Sequence, residues 1–279
     1  MKASRTMPVA LLAMAVVLTT GCGRKETSAP QAAPAAVDPS AEAATQVPAV
    51  DQAPVSLKDV VEHDPRYVIG ISYPPGADDQ PGLARVLYDY AQAARAELMQ
   101  AVDGLDAPPT APYELSLGFR NTTVTPEVLA VAADGSLYTG GAHGQPLVAR
   151  FVWLPKHGQL LTSEQLLLPS GWEAVSDYVG EQLGAAAHTR ATDESLEPAD
   201  RKRLLSMALK MIAEGTEPKA ENFAQFEPVK AADGRLSGVR FVFPPYQVGP
   251  YADGVQEVEV PASVLLPHVA AEYRGLFAN

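Results

Sequence analysis

Two short segments of the chain combine glycines and prolines with side chains that could bind a ligand. The first runs Tyr138-Thr-Gly-Gly-Ala-His-Gly144 and carries one imidazole beside a glycine pair. The second, residues 243–254, holds Tyr246, Tyr251 and Asp253 among three prolines and two glycines, so it cannot be helical. An imidazole can act as an acid, a base or a metal ligand, and tyrosines offer flat faces with polar tips. We expect the two segments to meet in the fold.

Two roles are open for His143. It could face a ligand as an acid, base or metal ligand, or it could make structural hydrogen bonds that fix the junction between the segments. No second histidine or cysteine stands near it in the sequence, and a metal site needs three or four ligands. We therefore expect no metal, no cofactor and no catalytic residue.

The remaining candidates in the two segments are glycines and tyrosines. Glycines at 140 and 141 permit a positive φ or a close backbone approach, which a side chain would block. The tyrosines could line a cleft and stack on a glycan, or they could be buried anchors of their loops. The candidate ligand-binding residues are Tyr138, Gly140, Gly141, His143, Tyr246, Tyr251 and Asp253.

Glu257 and Glu259 are the one pair of carboxylates that suggests hydrolysis of a glycosidic bond. They stand two apart on a predicted strand, so both project from the same face. A glycosidase needs its two carboxylates on opposite sides of the scissile bond, and a solvated outer face is the simpler interpretation. The sequence also lacks a Gly-x-Ser-x-Gly elbow, a Walker loop, a His-Glu-x-x-His motif and a dinucleotide fingerprint, which favours a non-enzymatic function.

The start of the chain predicts that the protein is located in the cell envelope. Residues 1–21 have the layout of a signal peptide, with Lys2 and Arg5 before an apolar run that is too short to span a bilayer comfortably. Leu18-Thr-Thr-Gly-Cys22 resembles a bacterial lipobox, which implies that Cys22 is lipidated. Gly23 follows it, which by analogy with Gram-negative lipoproteins favours the outer membrane, facing the periplasm. Ordinary signal cleavage, with Cys22 left as a free thiol, is the alternative.

Residues 22–55 predict a disordered tether. They are rich in Ala, Pro, Gln, Thr and Ser, and they cannot bury enough apolar surface to offset the entropy of ordering. Cys22 is the only cysteine, so the fold beyond the tether must be held by its core and not by a disulfide. The net charge of −12 disfavours binding to nucleic acid and suits a cationic partner.

Hydropathy patterns predict an α+β fold in two lobes, each an antiparallel sheet packed with one or more helices. The first lobe spans residues 56–144: strands at 67–72, 113–124 and 127–133, a helix at 81–102 with one apolar stripe, and a turn at Asp134-Gly-Ser136. The second spans residues 145–279: strands at 146–154, 223–229, 236–243 and 255–260, a strand followed by a short helical turn within 160–168, a turn at 156–159, and helices at 171–187, 195–214 and 262–273. Ser170 is predicted to cap the first of these helices. The second helix is predicted to be buried along one apolar stripe, formed by residues 204, 205, 208, 211 and 212.

The motifs Tyr-Thr-Gly-Gly-Ala-His (138–143) and Pro-Tyr-Gln-Val-Gly-Pro-Tyr-Ala-Asp-Gly (245–254) resemble the signature of a known family. It comprises the extracytoplasmic domain of the anti-sigma-V factor RsiV, a lysozyme sensor, and the non-catalytic region of PdaC-type peptidoglycan deacetylases. The resemblance extends from about Leu57 to the C-terminus and implies a mixed α/β fold in two lobes. It does not imply a single activity, because a fold hosts many functions.

Three functions follow as hypotheses. The first is a non-enzymatic envelope lipoprotein that binds a lysozyme-like protein or peptidoglycan. The second is an envelope hydrolase that uses His143 with a carboxylate such as Asp253 or Glu257. The third is a structural lipoprotein with no small ligand. The motifs of deacetylase catalytic domains are absent from the sequence, which favours the first hypothesis over the second.

Overall fold

The computed structural model describes residues 55–192 and 197–278, within which the chain forms nine strands and five α-helices. The strands are β1 (Val60–His63), β2 (Tyr67–Ser72), β3 (Tyr113–Val124), β4 (Leu129–Tyr138), β5 (Gln145–Leu154), β6 (Gln159–Leu160), β7 (Phe226–Lys230), β8 (Leu236–Phe243) and β9 (Gln256–Pro261). The helices are α1 (Pro81–Asp103), α2 (Ser163–Leu166), α3 (Trp172–Arg190), α4 (Pro198–Gly215) and α5 (Ala262–Leu265). The predicted signal peptide, Cys22 and the predicted tether up to residue 54 lie outside the described residues.

The strands form two sheets. The first has the order β1-β2-β3-β4-β5-β6, and the second has the order β7-β8-β9. All neighbours are antiparallel except β2 and β3, which are parallel. The parallel pair arises because the 23 residues of α1, about 35 Å long, carry the chain back along the sheet before β3 begins. The predicted α+β architecture with two sheet-based lobes is confirmed.

Two apolar cores hold these layers together. One lies between α1 and one face of the six-stranded sheet, where Leu83, Leu87 and Leu98 pack on strand residues such as Leu115. The other lies among α3, α5, the three-stranded sheet and the opposite face of β4 and β5. Neighbouring residues of β5 therefore enter different cores: Trp153 faces the α1 core, whereas Val152 and Leu154 face the other. Strands β4 and β5 are the shared wall that joins the two lobes.

Several predicted elements have the observed bounds, or nearly so. Strand β2 and strand β3 coincide with their predictions, and α1 ends one residue later than predicted. The turn before β6 is confirmed, and Gly158 within it has a φ of 63°. The predicted lobe boundary after residue 144 falls inside the six-stranded sheet, because β5 pairs with β4 along its length.

The predicted turn at Asp134-Gly135-Ser136 is wrong. These three residues lie inside β4, where Gly135 pairs with Leu117 on one side and Leu147 on the other. A Cβ at residue 135 would come within 2.0 Å of the Ser116 carbonyl oxygen. The glycine thus serves a close approach between strands, which also explains its presence in a strand interior.

Three details of the second lobe also differ from prediction. Ser170 lies in a 3₁₀ turn (Pro169–Gly171) and does not cap α3, whose N-terminal residue has no side-chain cap. Of the predicted stripe on α4 only Ile212 is buried, because this helix packs on α3 at the outside of the molecule. The predicted last helix ends after one turn, since Pro267 has no N–H to continue it, and Val269 instead bridges to Leu167.

Candidate functional site

The two motif segments are loops that join neighbouring antiparallel strands, one loop in each sheet. Residues 139–144 form the β4–β5 loop, and residues 244–255 form the β8–β9 loop. The expectation that they meet is confirmed by contacts among His143, Tyr246 and Tyr251, which we call the junction cluster. The structure therefore brings together side chains that stand more than a hundred positions apart in the sequence.

The β4–β5 loop depends on its two glycines. Gly140 and Gly141 have φ values of 101° and 94°, a region that side chains disfavour. The hydroxyl of Tyr138 donates a hydrogen bond to the Gly141 carbonyl over 3.3 Å, and the Tyr138 ring meets Tyr113 edge to face. Tyr138 and the glycines thus shape the loop that projects His143.

The junction cluster is a stack of three rings. The imidazole of His143 lies parallel to the Tyr251 ring, with centroids 4.2 Å apart and an interplanar angle of 19°. The Tyr246 ring is tilted by 37° against Tyr251 at 5.7 Å, and its hydroxyl lies 3.2 Å from Nε2 of His143. Tyr246 remains 54% exposed and Tyr251 37% exposed. The tyrosines are therefore not buried anchors, and each leaves part of its surface open to solvent.

The hydrogen bonds of His143 define the tautomer of its neutral ring. Nδ1 lies 3.2 Å from the Gly144 carbonyl oxygen, which can only accept, so Nδ1 carries the proton. Nε2 then accepts from the Tyr246 hydroxyl. In a general base, Nε2 would be free for a substrate and Nδ1–H would be oriented by a carboxylate. In this cluster the Tyr246 hydroxyl donates a hydrogen bond to Nε2, and the backbone carbonyl of Gly144 accepts a hydrogen bond from Nδ1–H.

The β8–β9 loop holds Tyr246 in a strained conformation. Tyr246 has a φ of 76°, and it is the one non-glycine residue with a positive φ in the described part of the chain. Such a conformation costs about 1–2 kcal/mol for an L-residue. It persists because Tyr246 N–H donates to the Gly249 carbonyl and the Gln247 side-chain amide donates to the carbonyls of Gly215 and Asn222. The surrounding structure thus forces an exposed aromatic ring into a fixed position, a pattern that clusters at functional sites.

Gly215 makes this anchoring possible at the end of α4. A Cβ on it would lie 2.1 Å from the Gln247 carbonyl oxygen, so no side chain fits. The sequence suggested only that Gly215 ends the helix, and its contact with the loop was not predicted.

Asp253 lies at the far end of the β8–β9 loop, in a 3₁₀ turn that begins at Tyr251. Its carboxylate is 3.7 Å from a guanidinium nitrogen of Arg190 at the end of α3, and it is partly buried. Glu257 and Glu259 lie on the exposed face of β9 and both approach the guanidinium of Arg240, at 3.8 Å and 3.3 Å. All three carboxylates are therefore engaged by arginines, and none is hydrogen-bonded to His143.

A charged cluster between the two sheets was missed by sequence reasoning. Arg150 of β5 and Glu227 of β7 have side chains only 2% and 5% exposed, and their Nε and Oε1 atoms are 2.6 Å apart. Arg150 also contacts the carboxylate of Asp134 at 2.8 Å, and its backbone N–H donates to the side chain of Gln225. The pair connects β7 of one sheet to β5 of the other. The available signal was that Arg150 is the one charged residue of β5 and that Glu227 stands directly between Phe226 and Pro228 in β7.

Two features are absent from residues 55–192 and 197–278. No group of three or more histidine, cysteine, aspartate or glutamate residues there could hold a metal ion. None of the helices in that part of the chain is long and apolar enough to cross a membrane.

Comparisons with known proteins find a family model that matches part of the chain. Residues 170–263 match a family model described as "Protein of unknown function (DUF3298)". No curated protein matches the chain at a significant level. The matched region includes the whole β8–β9 loop but not His143, and the match does not confirm membership of the RsiV-like family.

Two crystal structures of DUF3298-family proteins are similar to this chain. The one from Bacteroides fragilis is 19% identical, with a TM-score of 0.45, and the match covers 72% of each chain. The one from Pseudomonas aeruginosa is 16% identical, with a TM-score of 0.48, and the match covers 80% of this chain and 96% of that one. The chain thus contains a region, residues 170–263, that matches the DUF3298 family, and it is similar to solved proteins of that family.

Proposed function

We propose that the protein is a lipid-anchored, non-catalytic binding or sensor module of the cell envelope. Its ligand is a lysozyme-like protein or peptidoglycan, and the junction cluster is the contact surface. The single observation that carries the proposal is the exposed ring of Tyr246, which is held at a φ of 76° by a tightly bonded loop. Strain of this kind persists in a fold only where other contacts enforce it, and it concentrates at sites of binding and catalysis.

The chemistry of the cluster supports recognition by stacking and hydrogen bonding. Two tyrosine rings and an imidazole offer flat surface of the kind that packs on sugar rings or on apolar side chains. Large aromatic side chains with polar tips are also the commonest anchors of protein interfaces. The acidic balance of the chain, 33 acidic against 21 basic residues, suits a cationic protein partner.

A retention experiment tests the proposal and separates the two ligands. The full chain, extracted in detergent from the membranes of a bacterial host, is applied to immobilised lysozyme and, separately, to purified sacculi. We expect retention on one of the two, and at least a tenfold loss for the double variant Tyr246→Ala/Tyr251→Ala. His157→Ala is the matched control, because His157 is exposed in the β5–β6 turn, and it should bind normally. Retention on neither material contradicts the proposal.

The anchoring part of the proposal has its own test. Cys22 is taken to carry the lipid, including palmitate, with the body facing the periplasm from the outer membrane. Labelled palmitate should be incorporated into the wild type and not into Cys22→Ser, and the wild type should fractionate with outer membranes. Equal labelling of both chains would remove Cys22 as the anchor.

The hydrolase hypothesis is less well supported by the geometry. Nε2 of His143 is engaged by the Tyr246 hydroxyl, and its Nδ1 faces the carbonyl of Gly144 instead of a carboxylate. Release of soluble fragments from sacculi by the wild type, abolished in His143→Ala and retained in His157→Ala, would reverse this judgement.

A further inference from the structure

The hydroxyl hydrogen of Tyr246 is already used inside the junction cluster. Nδ1–H of His143 donates to the Gly144 carbonyl, so Nε2 of the neutral ring accepts from the Tyr246 hydroxyl, 3.2 Å away. Among the described residues this is the one hydrogen bond of the Tyr246 hydroxyl. The oxygen keeps its lone pairs, so it can accept a hydrogen bond from a ligand but has no hydrogen left to donate.

The tyrosine rings of the cluster can also stabilise a positive charge. A cation within about 6 Å of a tyrosine ring centroid is attracted to the electron-rich face of the ring. Within the described residues, Arg85 makes such a contact with Tyr88, and no ammonium or guanidinium group does so with Tyr246 or Tyr251. His143 stacks on Tyr251, and Tyr246 remains 54% exposed. The cluster therefore has ring surface that could take a cation from a ligand.

The chain that carries these tyrosines is acidic. Residues 244–261, which form the β8–β9 loop and β9, contain Asp253, Glu257 and Glu259 and no lysine or arginine. Two guanidinium groups approach these three carboxylates, that of Arg190 near Asp253 and that of Arg240 near both glutamates. The segment keeps an excess of negative charge, which attracts a cationic ligand.

We propose that the junction cluster binds a positively charged side chain of a partner protein, and that protonation of His143 releases it. This inference rests on the function proposed for the cluster, and it selects a cationic protein over peptidoglycan as the ligand. The ammonium or guanidinium group of the partner donates a hydrogen bond to the Tyr246 hydroxyl oxygen. Its positive charge is stabilised by the tyrosine rings and by the acidic segment around them.

Protonation of His143 reverses the hydrogen bond between the two side chains. Nε2 of an imidazolium is a donor, so the Tyr246 oxygen has to accept from it and the hydroxyl hydrogen turns outward. The cluster then presents a hydrogen-bond donor and a positive charge of its own, and both disfavour a cationic ligand. Histidine side chains change charge between pH 5 and 8, so the release falls in that range.

The groups packed against His143 do not compensate this change of charge. Tyr246 and Tyr251 of the β8–β9 loop contact the imidazole, and in its own loop Tyr138 bonds to the Gly141 carbonyl. No carboxylate of the described residues forms a hydrogen bond or an ion pair with the ring. Asp253, two positions after Tyr251, is paired with Arg190. The new charge therefore acts directly on Tyr246.

Binding of lysozyme at two pH values tests the proposal, because lysine and arginine side chains stay charged in this range. The full chain, extracted in detergent, is immobilised, and the Kd of lysozyme is measured at about pH 8 and about pH 5. We expect binding to be at least about tenfold weaker at the lower pH, since a hydrogen bond to a charged group is lost. At the higher pH, binding should be abolished either by acetylation of the lysines of lysozyme or by blocking its arginines with phenylglyoxal.

Three variants assign the effect to the pair of side chains. His143→Gln has no titrating ring, so its Kd should be the same at both pH values. His157→Gln is the matched control, exposed in the β5–β6 turn, and it should keep the pH dependence of the wild type. Tyr246→Phe keeps the ring and loses the acceptor, so it should bind about tenfold more weakly at about pH 8. Circular dichroism at both pH values confirms that each variant is folded.

Nitrogen NMR of the imidazoles tests the switch without a ligand. In its neutral form His143 should be the Nδ1–H tautomer, and an Nε2–H tautomer overturns the inference. It is also overturned if the Kd of lysozyme is independent of pH, if the pH dependence survives in His143→Gln, if neither chemical block affects binding, or if the chain is retained on sacculi and not on lysozyme. In each of these cases the proposed function still stands, whereas retention on neither material overturns both.

Discussion

Removal of the Glu227 carboxylate should destabilise the protein strongly, because it leaves the Arg150 guanidinium buried without its closest partner. The two side chains are 5% and 2% exposed and their charged atoms are 2.6 Å apart. Breaking a buried pair from one side typically costs 3–5 kcal/mol. Asp134 still contacts Arg150 at 2.8 Å, so we expect the lower end, about 3 kcal/mol, for Glu227→Leu. In a domain of this size that corresponds to a fall in Tm of about 6–12 °C.

A double-mutant cycle separates the pair from the loss of packing. Urea unfolding of Glu227→Leu, Arg150→Met and the combined variant gives three free energies of unfolding. Because two apolar residues can replace a buried ion pair at little or no loss, the combined variant should be more stable than either single variant. Asp89→Asn, which breaks the exposed pair between Arg85 and Asp89, is the control and should cost less than about 1 kcal/mol.

If Glu227→Leu costs no more than Asp89→Asn, the buried pair does not hold the sheets together. If the losses of the two single variants add up in the combined variant, Arg150 and Glu227 act independently and the cluster is not a unit.

Three further perturbations have defined outcomes. Gly215→Ala should lose about 2 kcal/mol of unfolding free energy and weaken ligand retention, because its Cβ would lie 2.1 Å from the Gln247 carbonyl oxygen. Gly184→Ala is the control: its Cβ would make an ordinary contact with Leu209 at 3.7 Å, so this variant should gain up to about 1 kcal/mol. Equal urea midpoints for the two variants would contradict this. Burial raises the pKa of Tyr73 to about 12, so above pH 10 the unfolded state loses the tyrosine proton first, and the free energy of unfolding should fall until about pH 12. Tyr73→Phe should flatten that fall when melting is measured against pH. An unchanged slope in Tyr73→Phe would argue against this role of Tyr73. Tyr246→Gly removes the backbone strain at this position, so its free energy of unfolding in urea should stay within about 1 kcal/mol of the wild type. Ligand retention by this variant should be lost. A large destabilisation would show that the ring has a structural role.

The sequence predicted those parts of the fold that repeat a pattern. The apolar stripe of α1 and the alternation along β3 identified both elements, because burial of one face imposes its period on the sequence. Gly135 was misjudged, since the same residue type serves a turn or a close approach between strands, and only the neighbouring strand distinguishes them.

The candidate site was predicted in part. The meeting of His143 with Tyr246 was expected from the two motifs, and the stack with Tyr251 confirms it. The positive φ of Tyr246 could not be predicted, because it depends on the contacts of Gln247 with residues outside the loop. The pairing of Arg150 with Glu227 was missed for a related reason. A charged residue in an apolar strand is interpreted as solvent-exposed until its partner on another strand is known.

The proposed role of the junction cluster as a surface for ligand binding can be tested by spectroscopy. The most direct measurement is the NMR spectrum of the histidine side chains during titration with whichever material, lysozyme or soluble peptidoglycan fragments, the chain retains. We expect the imidazole signals of His143 to shift and saturate with the ligand while those of His157 stay in place. Binding that leaves the His143 signals unmoved would contradict it.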